Sequence, residues 1–160
     1  MNNVLIRSYS PRFTRLIGKK LAKFLQPPFD ILLSGDLGSG KTEFVRGFLS
    51  NWGHKIVRSP SFTVVNSFET PLYTIHHIDL FRIKDREEIL VRGIMDLLSE
   101  ADSVRFIEWP ELIKEFINSN RSLDIHIEIT GKRERLLSLI SESLHVIEKL
   151  KESLSPYEIR

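Results

Sequence analysis

The hydrophobic positions of this chain alternate between two periodicities. Six short apolar runs, bounded by glycine, proline or polar residues, have the length and composition of β-strands. They lie at Val4–Ser8, Ile31–Ser34, Phe62–Asn66, Tyr73–Leu80, Val104–Glu108 and residues 123–129. In the last run apolar residues alternate with Asp124, His126 and Glu128, which predicts a strand with one solvated face.

Helical spacing fills the intervals between these runs. Ser10 and Pro11 have the residue types of an N-cap and a first helical position, and apolar residues follow at helical spacing as far as Phe24. Further helices are predicted at Lys41–Asn51, Asp85–Leu98, Pro110–Ile117 and, as a C-terminal amphipathic helix, residues 136–154. The alternation predicts one α/β domain over residues 1–160, a mixed sheet flanked by helices with the last helix packed on it.

Composition narrows the class of protein. A chain of 160 residues with 23 Lys and Arg against 21 Asp and Glu has the size of one domain and no strong overall charge. Basic residues concentrate only at residues 82–86 and 132–135, which is typical of solvated faces. The absence of cysteine excludes disulfides, thiolate metal sites and cysteine nucleophiles. No apolar run approaches the about 18 residues that span a bilayer, so we expect a cytoplasmic protein without a membrane segment.

One segment carries a specific chemical signal. Residues 35–42, Gly-Asp-Leu-Gly-Ser-Gly-Lys-Thr, match the phosphate-loop pattern G-x-x-x-x-G-K-[ST] at every fixed position. The glycines allow consecutive N–H groups to point at phosphate oxygens, and the helix that follows adds its positive N-terminal dipole. Lys41 can reach the β- and γ-phosphates, and the Thr42 hydroxyl can bind Mg²⁺. An apolar strand before the loop and a helical run after it complete the context, and together they predict nucleotide binding.

A phosphate loop also needs a carboxylate near the metal and the attacking water. Glu108 ends one predicted strand, and Asp79 lies near the end of another with His77 on the same face. Each is also explained as a solvated charge at a strand end. The hydroxyl-rich segment Ser59–Thr63 has the composition of a γ-phosphate-sensing switch, and equally of a turn that leads into a strand.

Four blocks of sequence, in order, resemble one known family, the TsaE (YjeE) proteins. Besides the phosphate loop, Ser59–Thr63 resembles their S-P-T-[FY]-T segment and His77–Arg82 their H-x-D-L-Y-R segment. Ile107–Glu111 is similar to their E-W-P block, and Gly131–Arg133 to a basic segment after a late strand. The resemblance extends over roughly the first 135 residues and implies a P-loop NTPase-like domain.

This resemblance implies a small ATPase that serves threonylcarbamoyladenosine modification of tRNA. It implies partners, a TsaB–TsaD complex that modifies adenosine 37, with tRNA reached indirectly through that complex. The implied cofactors are ATP and Mg²⁺, with Thr42 and Glu108 holding the metal and with Lys41, Asp79 and Glu108 as the catalytic groups. The residues implied to cradle ATP are Leu37, Gly38, Ser39, Gly40, Lys41 and Thr42.

Other positions are implied with less detail, and some depart from the family pattern. Thr63 would lie in the γ-phosphate-sensing segment, and Pro11–Thr14 and Lys132 would border the nucleoside. Phe81 replaces the usual tyrosine, which removes a phenol hydroxyl. Glu43 follows the phosphate loop where a small hydroxyl residue is more common, and we expect its side chain to point outward from its helix.

Two other functions remain open on sequence grounds. A small-molecule P-loop kinase would need an arginine-bearing lid, which the stretch Arg82–Arg92 could supply. A non-catalytic nucleotide-sensing module would need only the phosphate loop. A GTPase is disfavoured, because the chain has no N/T-K-x-D segment to read guanine.

Overall fold

Seven strands form a single mixed sheet with parallel strands at its centre. The computed structural model describes residues 2–159. Along the sheet the strands follow the order β1-β7-β6-β2-β5-β4-β3. Neighbours among β6, β2, β5 and β4 pair in parallel, whereas β1, β7 and β3 pair antiparallel. The strands are β1 Asn3–Ser8, β2 Phe29–Ser34, β3 Val65–Glu69, β4 Thr74–Asp79, β5 Ser103–Glu108, β6 Ser122–Ile129 and β7 Arg135–Ile140.

Helices cover both faces of this sheet, as the α/β, P-loop NTPase-like prediction required. Three of them, α1, α2 and α5, pack over the larger core; α3 and α4 pack over a smaller one on the other face. Their bounds are α1 Pro11–Leu21, α2 Lys41–Leu49, α3 Arg86–Val91, α4 Ile94–Leu98 and α5 Leu144–Leu154. The central strands are buried on both sides, which explains their continuous apolar sequences. Within residues 2–159 no helix has the length and apolar content needed to cross a membrane.

The contact between α1 and α2 places the helix that follows the phosphate loop. Ser10 caps α1, because its side chain accepts a hydrogen bond from the backbone N–H of Phe13, and Pro11 takes the first helical position. Gly18 and Gly47 then let the two backbones touch: a Cβ on Gly47 would overlap the carbonyl group of Arg15. Such close packing leaves α2 little freedom to shift relative to the sheet.

The predicted C-terminal helix over residues 136–154 is wrong in its first part. Residues Arg135–Ile140 form strand β7, which pairs with both β1 and β6, and the helix begins only at Leu144. Leu137 and Leu139 are fully buried while their neighbours are more exposed, which is the period of a strand. The apolar residues of this segment also fit helical spacing, but hydrogen bonding to strands on both sides favours the β conformation.

The strand predicted at Phe62–Asn66 begins later, at Val65. Val64 adopts a left-handed conformation with φ of 68°, and its backbone N–H donates to the carbonyl oxygen of Pro60 at 2.6 Å. The hydroxyl-rich segment is therefore a turn that leads into the edge strand β3.

Two predicted helices are interrupted. Gly93, with φ of 70°, divides the helix predicted over Asp85–Leu98 into α3 and α4. The segment Pro110–Ile117 forms two short 3₁₀ turns, because Ile113 leaves helical geometry with φ of −120°. Neither change moves a residue out of the site described next.

Candidate nucleotide-binding site

The phosphate-loop motif forms a tight loop between β2 and α2. Gly35, Gly38 and Gly40 have φ of 138°, 77° and 111°, values that side-chain-bearing residues rarely adopt. Gly40 is the N-cap of α2, so the helix begins at Lys41. Because the first N–H groups of a helix lack acceptors within it, the amides of Lys41 and Thr42 are available to an anion at this end.

Lys41 lies folded over its own loop. Its Nζ donates to the carbonyl oxygens of Gly35 at 2.7 Å and Asp36 at 3.1 Å, and it lies 4.7 Å from the centre of the Trp109 ring. Burial lowers the pKa of Lys41, while the negative charges of Glu108, Asp79 and Asp36 act in the opposite direction. A phosphate group would add negative charge beside this ammonium group and favour its protonated form.

Two carboxylates meet at the carboxyl ends of adjacent parallel strands. Asp79 of β4 and Glu108 of β5 are direct register partners, and both side chains are buried. Asp79 accepts hydrogen bonds from the backbone N–H of Phe81 at 2.9 Å and the hydroxyl of Ser59 at 3.2 Å. Burial raises the pKa of Asp79 and the charge of Glu108 raises it further, whereas those two hydrogen bonds partly offset the increase.

A buried histidine orients Glu108. His77 Nε2 lies 2.9 Å from Glu108 Oε1, and its Nδ1 has no hydrogen-bond partner among residues 2–159. The next residue, Trp109, takes a left-handed conformation with φ of 57° and donates its backbone N–H to Leu33. This bend ends β5 and brings the indole ring back over Lys41. The centroid of the Phe81 ring lies 5.0 Å from that of the Trp109 ring.

These groups surround one cleft of about 410 Å³. It brings together most of the residues that the sequence pointed to, namely Leu37, Gly38, Gly40, Lys41, Thr42, Asp79 and Glu108, with Ser59 and Ser61 of the hydroxyl-rich segment. Ser39 lies in the same loop, but its N–H donates to Asp36 and its side chain is fully buried. Thr63 does not line the cleft: its hydroxyl donates to the side-chain oxygen of Asn66.

Comparisons with known proteins identify the family of this chain. The family model described as "Threonylcarbamoyl adenosine biosynthesis protein TsaE" matches residues 8–137. The chain belongs to the TsaE family. It is 35% identical to a Bacillus subtilis protein named tRNA threonylcarbamoyladenosine biosynthesis protein TsaE, over 84% of each chain. It is 34% identical to the Rickettsia felis protein of the same name, over 81% of this chain and 75% of that one. Among solved structures, YdiB of Bacillus subtilis superposes with a TM-score of 0.75 at 30% identity and covers 96% of this chain and 95% of its own.

A second, smaller hollow of about 130 Å³ opens on the other side of the phosphate loop in this TsaE-family chain. Pro11 and Thr14 of α1 line it, together with Lys132 and Arg133 of the turn before β7. Of the residues implied by the resemblance to border a nucleoside, Pro11, Thr14 and Lys132 thus lie next to the phosphate loop, whereas Arg12 and Phe13 line a separate groove. Glu43 lines this hollow and the cleft, and its carboxylate pairs with Arg15 and Arg46. The side chain therefore bridges α1 and α2, whereas the sequence predicted that it would point outward.

Arg135 is the residue of the site that the sequence analysis missed. Its Nε donates to the carbonyl oxygen of Ser39 at 2.9 Å, and its Nη2 to that of Gly38 at 3.1 Å. Its Nη1 also donates to the carbonyl oxygens of Gly131 and Glu134. One guanidinium group thus ties the turn before β7 to the phosphate loop. In the sequence it was one of several basic residues on a solvated turn, and no local signal set it apart.

Proposed function

We propose that this TsaE-family chain is a Mg²⁺-dependent ATPase that serves threonylcarbamoylation of adenosine 37 in tRNA by acting on a TsaB–TsaD-type complex. One observation carries the chemistry: a phosphate loop and a pair of strand-end carboxylates, Asp79 and Glu108, line the same cleft. Family membership supports the biological process, because the matched relatives are named for threonylcarbamoyladenosine biosynthesis.

The loop would bind the phosphates of ATP through main-chain amides of residues 37–42 and through Lys41. On binding, the Lys41 ammonium would exchange its loop carbonyl partners for β- and γ-phosphate oxygens. The N-terminal end of α2, a helix of nine residues, adds a favourable dipole to the same oxygens. The purine would lie toward the hollow lined by Pro11, Thr14 and Lys132.

The donor set suits magnesium. Thr42 supplies a hydroxyl oxygen and Glu108 a carboxylate oxygen, and Mg²⁺ prefers a few protein oxygens completed by phosphates and water. When bound, the ion would neutralise charge on the β- and γ-phosphates during their separation. His77 holds one oxygen of Glu108, which leaves the second oxygen for the metal. Asp79, the register partner of Glu108, would orient the attacking water.

Slow turnover by the isolated chain follows from the charges in the cleft. Among the residues described, Lys41 is the only cation that lines it. P-loop enzymes commonly stabilise the transition state with a further arginine, in cis or from a partner, worth about 10³–10⁵ in rate. We therefore expect weak basal hydrolysis and stimulation by a partner that completes the site.

The rim of the cleft is suited to a protein partner. Leu37, Phe62 and Phe81 lie on or beside it, and they are 68%, 80% and 48% exposed. Large apolar side chains grouped at this exposure are typical of a protein interface. A complex docked over the rim would cover them and the nucleotide together.

The arginines that could form a kinase lid are otherwise engaged. Arg82 stacks on the Phe62 ring at 4.2 Å, Arg86 pairs with Glu115, and Arg92 pairs with Glu88. None of the three lines the cleft. This arrangement favours water over a metabolite as the phosphoryl acceptor.

The test measures Mg²⁺-dependent phosphate release from ATP by the purified chain, alone and with TsaB and TsaD from the same organism. We expect weak release that rises with the two proteins and does not rise with added metabolites. Lys41→Ala should abolish productive phosphate binding, and Glu108→Ala should retain ATP binding without hydrolysis. The exposed residues Lys23 and Glu111, changed to alanine, are matched controls that should behave as the parent.

Three results would contradict the proposal. Full turnover in Lys41→Ala or Glu108→Ala would refute the site. Phosphate transferred to an added metabolite would establish a kinase. ATP binding that is never followed by hydrolysis, with or without the partners, would indicate a nucleotide-sensing module.

A further inference from the structure

A groove of about 690 Å³ runs between α1 and α2, away from the nucleotide cleft. The outer face of α1 forms one wall, and α2 with the segment Gly53–Lys55 forms the other. Phe13 and Leu16, both half-buried, supply apolar surface inside it. None of its lining residues also lines the nucleotide cleft, although Arg15 and Arg46 pair with Glu43 at the edge of that cleft.

The charged side chains that line this groove are all basic. Five basic side chains line it and no carboxylate does, although the whole chain has a net charge of only +2. Arg15 and Arg46 share Glu43, which lies outside the groove lining. The other three basic residues, Arg12, Lys19 and Lys55, are exposed and form no ion pair within residues 2–159. Such a field attracts an anionic partner.

We propose that this groove binds an acidic segment of a partner protein, with an aliphatic side chain of the segment on Phe13 and Leu16. The carboxylates of the segment would pair with the surrounding arginines and lysines. The apolar surface favours a peptide over RNA, because Leu16 is aliphatic and offers no planar face on which a base could stack, and Phe13 is half-buried. The Phe13 ring packs T-shaped against the Tyr157 ring, with 5.1 Å between the ring centroids.

The groove is connected to the nucleotide cleft through Glu43. This carboxylate holds Arg15 and Arg46 at the groove and also lines the cleft beside Thr42. Carboxylates of a docked segment would compete with Glu43 for the two arginines. Docking would then change the position of the Glu43 carboxylate at the mouth of the nucleotide site. Only this consequence of peptide binding rests on the proposed ATPase function.

Binding is measured first, without nucleotide, so that its failure is distinct from a failure of the ATPase proposal. The probe is a fluorescent, end-blocked peptide of sequence Glu-Glu-Leu-Asp-Leu-Glu-Glu, titrated with the full chain in low salt. A second peptide replaces both leucines by serine at the same charge. We expect the leucine peptide to bind with salt-sensitive affinity and the serine peptide to bind at least about tenfold more weakly, since the apolar contact is lost.

Charge variants locate the site. The triple variant Arg12→Gln, Lys19→Gln, Lys55→Gln should weaken leucine-peptide binding by about tenfold, as three contacts at the groove are removed. A control triple variant removes the same charge from exposed positions elsewhere, Lys23→Gln, Arg121→Gln and Lys151→Gln, and should bind as the parent does.

Glu43→Gln tests the competition. Because it frees Arg15 and Arg46, this change should tighten leucine-peptide binding, whereas Glu111→Gln should leave it unchanged. Three outcomes would overturn the proposal: no binding of the leucine peptide, equal loss in both triple variants, or equal binding of the leucine and serine peptides. Tight binding of unfractionated tRNA that is lost only in the groove variant would identify an RNA surface and also refute it.

Discussion

Replacement of Arg135 by methionine tests whether the phosphate loop is held ready for its ligand by a distant residue. Methionine keeps much of the aliphatic length and packing but removes all donors. The carbonyl oxygens of Gly38 and Ser39 lose their guanidinium partners, so the loop gains alternative conformations. The effect should fall on nucleotide affinity, since only the loop's binding-competent conformation accepts phosphate.

The size of the effect follows from the two bonds to the loop. Each is about 0.5–1.5 kcal/mol net in a partly exposed setting. Their sum of about 1–3 kcal/mol, at about 1.4 kcal/mol per decade, gives a loss of about 5- to 150-fold in ATP affinity. Arg135→Lys retains the charge without the planar fork and should fall between the parent and Arg135→Met.

Isothermal titration calorimetry with a non-hydrolysable ATP analogue and Mg²⁺ measures the affinity, and thermal unfolding reports stability in parallel. Arg7→Met is the matched control, because Arg7 lies beside the same turn, 3.7 Å from the Glu134 carboxylate, and donates nothing to the phosphate loop. Parental affinity in Arg135→Met with unchanged unfolding would refute the reasoning. An equal loss in Arg7→Met would attribute the effect to the turn or to net charge.

Three further predictions concern the site and its support. Asp79→Asn should raise the unfolding temperature at pH 7: the pKa of Asp79 is higher in the folded chain, so its ionised form costs stability as pH rises. The difference in unfolding temperature between Asp79→Asn and the parent should disappear as pH falls toward 3.8, the ordinary pKa of an aspartate. A difference that stays constant with pH would show that the raised pKa of Asp79 is not its cause. Gly47→Ala should destabilise the fold by about 1–3 kcal/mol in urea unfolding, since its Cβ would overlap the α1 backbone, and should exceed Gly131→Ala, whose Cβ would meet only the Glu134 side chain at an ordinary contact distance. His77→Leu should reduce ATP turnover about tenfold while ATP affinity is retained, and His77→Gln, which keeps a donor for Glu108, should recover part of it; equal rates in both would rule out a hydrogen-bonding role.

The phosphate loop and the start of α1 could be predicted from the sequence because the interactions that form them join residues only a few positions apart. The phosphate loop depends on glycines at fixed spacing and on the helix that begins beside them. Ser10 and Pro11 predicted the start of α1 for the same reason, since the cap bonds lie within one turn. The error over residues 136–154 arose where a local pattern was ambiguous, and only the pairing of β7 with β1 and β6 decided it.

The sequence by itself determined the phosphate-loop motif, from which nucleotide binding is predicted, and the two strand ends that carry carboxylates. Only the tertiary structure decided which groups meet. Parallel register brings Asp79 beside Glu108, and the turn before β7 brings Arg135 to a loop 97 residues earlier. Basic residues scattered over α1, α2 and the following segment converge on one groove. Such neighbours depend on sheet order and helix packing, which many distant residues set together and no single local segment encodes.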